Sequence, residues 1–179
     1  MAAVRYAINK NKYLLPPEVD HLNQILKAQY GTHLRDCLLI EIALKTGARA
    51  QEVLNLQVSD VNSYDQSIFI RGIKGSNDRE IPIQLELFNH LNEYITPNQG
   101  ARGKIFDIGY DRLLQIWHFY RPVLKTFHSL RHTFAIRLYQ KTKDLRLVQV
   151  ALGHRNITNT MIYADYIYSQ EELKKFILD

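Results

Sequence analysis

Apolar residues along this chain recur mostly at intervals of three and four, so helices dominate the expectation. Pro16-Pro17 opens a helix with Val19, Leu22, Leu26 and Tyr30 on one side, and Gly31 is its expected stop. Thr32 is expected to cap a second helix built on Leu34, Leu38 and Ile42, which Gly47 closes. A short helix over residues 50–56 follows. Residues 67–71 and 79–83 are rich in β-formers and flank a polar, glycine-containing turn at 72–78, which predicts an antiparallel hairpin. Helical spacing returns over 85–94, breaks in a loop at 96–103, and continues over 110–120, 129–140, 144–152, 157–163 and 170–178. The predicted fold is mainly α with a small antiparallel β-hairpin or sheet. No repeat or low-complexity tract interrupts it. Residues 1–15 are expected to be an N-terminal extension or linker, and 16–179 one domain ending in a tail helix at about 169–178.

Composition narrows the setting. The 179 residues contain one cysteine, Cys37, inside an apolar stretch, which excludes a disulfide scaffold or a multi-cysteine zinc site and fits a reducing compartment. No apolar run approaches the roughly 18 residues of a membrane span, and residues 1–17 lack the apolar core of a signal peptide. The expectation is a soluble, cytoplasmic protein with no membrane partner. Charge is uneven: residues 1–100 hold 10 Lys and Arg against 11 acidic residues, whereas 101–155 hold 11 against three. That asymmetry points to a polyanionic partner.

Several ready-made chemistries are missing. The chain has no GxxxxGK[ST] phosphate loop, no GxGxxG, no HExxH and no GxSxG elbow. His128 and His132 stand four apart, but no carboxylate falls at matching spacing, so neither a metal nor another cofactor is expected. What remains is a set of phosphate-friendly groups beside structural stops. Arg49 leaves a corner after Thr46-Gly47, and Lys74 lies in the hairpin turn. His128 and Arg131 open a helix three residues apart. His154 follows Leu152-Gly153, and Tyr163 has Tyr166 and Tyr168 nearby. Each also has a plain structural reading, as a helix-end cation paired to Glu52, a solvated lysine, a capped helix start, a half-exposed histidine and a core aromatic.

Taken together, these segments resemble the tyrosine site-specific recombinases, the phage-type integrases. Thr46-Gly-Ala-Arg49-Ala-Gln-Glu52 is similar to the family's first arginine box, and Lys74-Gly-Ser-Asn-Asp-Arg79-Glu-Ile-Pro82 to its hairpin lysine motif. His128-Ser-Leu-Arg131-His-Thr-Phe-Ala is similar to its HxxR box, and Leu152-Gly-His154 with Tyr163 nine residues on to its last motif. The resemblance implies an α+β recombinase catalytic-domain fold over 16–179 and a DNA strand transesterase. Arg49 and Arg131 would then grip the non-bridging oxygens of a phosphodiester, with His154 as a third donor. Tyr163 is the expected nucleophile, and since a phenol titrates near pH 10 it needs a base, for which His128 is the candidate. Lys74 is the expected general acid for the leaving 5′ oxygen. Glu52 and Arg79 are expected to support Arg49 and the hairpin.

The expected product is a 3′-phosphotyrosine with a free 5′-hydroxyl, which conserves the bond energy and requires neither ATP nor a metal. Arg112, Arg121, Lys125, Lys141, Lys143 and Arg155 are the expected DNA-backbone contacts. The partners implied are double-stranded DNA and the chain itself, a monomer in solution and a tetramer on paired sites through its tail, with accessory DNA-bending proteins. Through DNA the protein would associate with the nucleoid. Most family members carry a helical domain ahead of the catalytic one, so the chain is expected to be either a fragment or a short stand-alone member. Two other functions stay open: a relaxer working as type IB topoisomerases do, and a non-catalytic helix-turn-helix module over 144–163.

Overall fold

The computed structural model describes residues 8–73, 75–96, 103–164 and 177–178. A 3-10 turn (Lys10–Lys12) leads into α1 (Pro16–Gln29), α2 (Leu34–Thr46) and α3 (Ala50–Leu54). Three short strands follow, β1 (Val61–Asn62), β2 (Ser67–Ile70) and β3 (Arg79–Pro82). Then come α4 (Leu85–Ile95), α5 (Tyr110–Tyr120), α6 (His128–Thr142), α7 (Leu145–Leu152) and α8 (Thr158–Met161).

Helix α2 is the hub. Its LRDCLLIEIALKT sequence is apolar nearly all round, and Cys37 through Ile40 and Ile42 through Leu44 are buried. A helix of that kind belongs inside a bundle, and α1, α3, α4, α5 and α6 all pack on it. Gly47 closes it in the left-handed region at φ 66°, as its sequence position predicts. The N-terminal end differs from expectation. Thr32 turns its hydroxyl to Gln29 O and His33 Nδ1, and His33 takes the cap position without a side-chain bond to the helix amides.

The sheet has the order β1-β2-β3, antiparallel throughout, with Val61 opposite Ile68 and Ile68 opposite Ile81. Ile68, Ile70 and Ile81 face the core while Phe69 and Glu80 face out, the period-two pattern of a half-buried ladder. The first strand is additional to the expected hairpin. It is two residues long, too short to show alternation, and Asn62 Oδ1 forms the turn after it by accepting from the Tyr64 and Asp65 amides. α3 and α8 end earlier than their spacing suggests, so Tyr163 sits in the turn after α8. Most of the expected tail helix lies outside the described residues; Ile177 and Leu178 are helical and exposed. Among the described residues no helix is long and apolar enough to cross a membrane.

A second, smaller apolar cluster joins Ile8 and Tyr13 to Ala135, Ile136 and Tyr139 of α6, Val148 and Leu152 of α7, and Tyr163. Ile8 and Tyr13, ahead of the boundary drawn at Pro16, therefore pack on α6 and α7. The Leu14 amide donates to Thr133 Oγ1 at 2.8 Å, and Lys125 Nζ donates to Tyr13 O at 2.8 Å and to Glu18 Oε2 at 2.5 Å. With its side chain 9% exposed, Lys125 is turned inward onto Tyr13 O and Glu18, unlike the exposed cations of the same stretch. A lysine whose charge is matched by a carboxylate in a part-buried site should behave unlike a solvated one. Lys125→Ala is expected to cost about 1–3 kcal/mol, and Lys141→Ala less than about 0.5 kcal/mol. Urea unfolding of the two variants beside wild type measures the difference.

Candidate active site

The site begins at a corner. After Gly47 the chain turns, and Arg49 becomes the N-cap of α3, where Glu52 at the third helical position accepts from the Arg49 amide at 2.8 Å. The Glu52 side chain is fully buried and is shared among three guanidinium groups. Arg49 Nη1 lies 3.1 Å from its Oε1, Arg79 Nη2 2.7 Å from its Oε2, and Arg131 Nη1 3.9 Å from Oε2. Burial alone would push this carboxyl up, but hydrogen bonds from Arg79 and the Arg49 amide, with the charges of Arg79 and Arg131, more than offset that and hold it below the ordinary carboxylate range. One anion against three cations leaves the cluster net positive.

Arg131 is anchored at both forks. Its Nη1 donates to Gly47 O at 2.7 Å and its Nη2 to Leu152 O at 2.8 Å. Both carbonyls belong to helix ends closed by left-handed glycines, Gly47 at φ 66° and Gly153 at φ 68°. A Cβ at Gly47 would fall 2.5 Å from the Phe134 ring, and one at Gly153 would fall 2.5 Å from Asn77 O. That second contact exists because the hairpin turn docks on α7: the Asn77 amide donates to Gly153 O at 2.8 Å. One residue earlier, Ser76 Oγ accepts from Arg49 Nη1 at 2.5 Å. Ser76 and Asn77 are thus tied to the start of α3 and the end of α7, while Lys74 lies outside the described residues.

His154 follows Gly153 and places Nδ1 2.9 Å from Thr160 Oγ1, and Gln149 Nε2 fixes the loop by donating to His154 O at 3.0 Å. Burial first, then Arg131, Arg49, Arg79 and His128, push the His154 imidazole down to about 4. Tyr163 is 1% exposed, inside the second apolar cluster. Burial raises its phenol to about 12 against the opposing pull of Arg131 and Arg49. Its hydroxyl lies 2.9 Å from Nδ1 of His132. Among the described residues no hydrogen bond joins it to His128, the base expected from sequence. The His128 ring instead stands edge-on to His132, with centroids 4.7 Å apart. Sequence reasoning offers His132 only as a metal ligand. A signal for the other role exists all the same, since a residue four after His128 shares its helix face.

Residues 12–112 and 120–170 match the phage integrase family. The chain belongs to that family. It is 32% identical over 171 residues to a tyrosine recombinase of Pseudothermotoga lettingae, covering 89% of this chain and 58% of that one. The XerH site-specific recombinase, solved bound to a palindromic difH substrate after cleavage, superposes with a TM-score of 0.75 at 25% identity, covering 95% of this chain and 54% of that one. The catalytic domain of bacteriophage HP1 integrase superposes with a TM-score of 0.67 at 27% identity over 92% and 94% of the two chains. The chain spans about half to three-fifths of the length of the curated relatives it matches. The mainly helical fold with its small antiparallel sheet is that of an integrase catalytic domain.

On this integrase fold the expected DNA-contacting cations are dispersed. Arg121 lines a cleft of about 540 Å³ together with Arg49, Tyr110, His118 and His128. Arg112, bonded to Gln115, is exposed, as are Lys141, Lys143 and Arg155. Among the described residues no group of three or more His, Cys, Asp and Glu stands together as a metal site would require.

The arginine cluster makes a pH prediction. Glu52 has a folded pKa below its ordinary 4.5, so the stability it contributes is complete above about pH 4.5 and drains away as pH falls through the folded value. Glu52→Gln leaves three guanidiniums without their anion and is expected to cost about 3 kcal/mol at pH 7. The gap to wild type should then narrow steadily below about pH 4.5. Denaturant unfolding at pH 7 and at a series of acid pH values checks both statements.

Proposed function

We propose that this domain cleaves and rejoins strands of double-stranded DNA through a covalent 3′-phosphotyrosine, as the catalytic part of a site-specific recombinase. The observation that carries this reading is the net-positive pair of Arg49 and Arg131 held on one buried carboxylate, with Tyr163 and His154 inside its field. A phosphodiester is an anion, and planar guanidinium forks suit its two non-bridging oxygens. Arg49, with 30% of its side chain exposed, is the fork presented to the diester, and Arg131 supplies charge from beneath. With Nδ1 accepting from the Thr160 hydroxyl, His154 carries its proton on Nε2 and donates it as a hydrogen bond to the same phosphate.

Tyr163 attacks phosphorus, its proton passes to an imidazole of α6, and the 5′ oxygen leaves with a proton from Lys74. The ester stores the bond energy, so a second 5′-hydroxyl reverses the step on a new partner. Recombination is favoured over relaxation alone by the likeness to recombinases across most of the chain. A purely binding module leaves the buried arginine cluster without a purpose. Assembly as a tetramer on paired DNA sites, through the tail and with DNA-bending helpers, completes the proposal.

The test begins with covalent capture from a library of nicked duplexes randomised in sequence, so that the enzyme itself selects its target site. Wild type is expected to yield an adduct that chelator leaves unchanged. Tyr163→Phe should abolish it, and Arg49→Ala should slow it by about 10²–10³-fold. An adduct that survives Tyr163→Phe defeats the assignment. With two copies of the captured duplex, strand exchange supports recombination, whereas plasmid relaxation without exchange identifies a topoisomerase.

A further inference from the structure

We infer that His132, rather than His128, takes the phenolic proton of Tyr163, and that it becomes competent to do so when a phosphate diester occupies the arginine pair. The inference rests on the phosphotyrosine reading and adds to it the identity and the trigger of the base. Geometry selects the residue. Nδ1 of His132 is 2.9 Å from the Tyr163 oxygen, a distance at which a proton can move along the bond. His128, one helical turn earlier, meets His132 ring edge to ring face and makes no described contact with the phenol. For Nδ1 to accept, the His132 proton must sit on Nε2, so the neutral Nε2–H tautomer is the reactive one.

The surroundings supply the trigger. Apart from the Tyr163 phenol itself, the charged groups that act on His132 are cationic or can become so: His128 and Arg131 on α6, Lys12 in the first turn, and His154 beyond α7. Burial and those charges hold the imidazole down to about 3 while the phenol stands near 12. In that state the proton stays on oxygen. A diester seated on Arg49 and Arg131 places a full negative charge in the same pocket and cancels part of the field. On Coulomb grounds, one unit charge about 6 Å away at an effective dielectric constant of about 20 favours the imidazolium by about two pH units. The same charge resists a free phenolate, so the gain is realised as the proton moves in concert with O–P bond formation, which passes the oxygen's charge to the phosphorane.

The step then balances. The Tyr163 O–H bond breaks toward His132 Nδ1, the new O–P bond forms, and the P–O5′ bond breaks with its electron pair taken up by a proton from Lys74. His132 is left as imidazolium. In rejoining, it returns the same proton to the departing phenolate.

The experiment is single-turnover adduct formation on the captured nicked duplex, with oxygen or sulfur at the bridging 5′ position, across a range of pH. Sulfur leaves without a proton, so it relieves the loss of an acid and not of a base. His132→Asn keeps a hydrogen-bond acceptor near the Nδ1 position but cannot take the proton, and His132→Gln is the second variant should the first fold poorly. Melting and DNA binding of each verify folding. The expected result is a loss of about 10²–10³-fold in either variant that sulfur does not restore. Its residual rate should rise roughly tenfold per pH unit as the phenol ionises unaided. His128→Gln should retain the wild-type pH profile. The inference is overturned if His132→Asn reacts at a wild-type rate, if sulfur restores it, or if His128→Gln is the variant that loses the profile. A wild-type protein that forms no adduct on either duplex overturns the phosphotyrosine reading instead, which separates the two failures.

Discussion

The buried carboxylate of Glu52 is the constraint on which the rest of the site depends. Three guanidiniums approach one another from α3, β3 and α6, elements far apart in sequence. Without an anion between them their repulsion in a water-poor interior would cost far more than the packing around them returns. Glu52 does not neutralise them; it leaves an excess of positive charge, and that excess is the useful quantity. Burial first, and then the same field, holds the imidazoles of His128, His132 and His154 below their ordinary range. Stability and chemistry meet in a single side chain that never touches substrate in this scheme.

Orientation comes from the backbone. Arg131 could swing among many rotamers, yet two carbonyls hold its fork, and both stand at helix ends terminated by glycines at positive φ. Gly153 does more, because its carbonyl receives the Asn77 amide and so ties the hairpin turn to the end of α7. The absence of a side chain at two positions thus allows α2, α7 and the sheet to close on the arginines. A motif such as Leu152-Gly153-His154 is then legible as mechanics: a buried leucine whose carbonyl holds an arginine, a glycine for the close approach, and a histidine delivered next to the cluster.

Those motifs are also why so much can be read from sequence. Helix spacing locates the long helices among the described residues, because Val19, Leu22 and Leu26, or Leu113, Ile116 and Trp117, repeat on one face of a 3.6-residue period. Spacing has little hold on short elements: β1 has two residues, and α8 stops at Met161 before reaching Tyr163. Central burial of α2 is hidden as well, since a one-sided stripe and an all-round apolar helix both contain Leu34, Leu38 and Ile42. In the candidate site, residue identities are legible and pairings are not. Nothing in HSLRHTFA tells which histidine meets the phenol, because that depends on where α8 delivers Tyr163. Lys125 is one more cation of a basic stretch until residues 13–18 fold back over it.

The resting arrangement is chemically quiet for a definable reason. A phenol near 12 facing an imidazole near 3 is the reverse of what nucleophilic attack needs. Both values follow from burial, which penalises phenolate and imidazolium alike. The positive field works in opposite directions on the two partners, easing phenolate and resisting imidazolium, so it cannot by itself move the proton between them. An arriving anion would act on both partners in the reverse sense, so in the proposed scheme the proton moves only as the O–P bond forms and the arginines take up the charge on the phosphorane oxygens. In the proposed scheme substrate binding and proton transfer would then be joined through electrostatics, at a phenol whose burial comes from the apolar cluster of α6, α7 and residues 8 and 13.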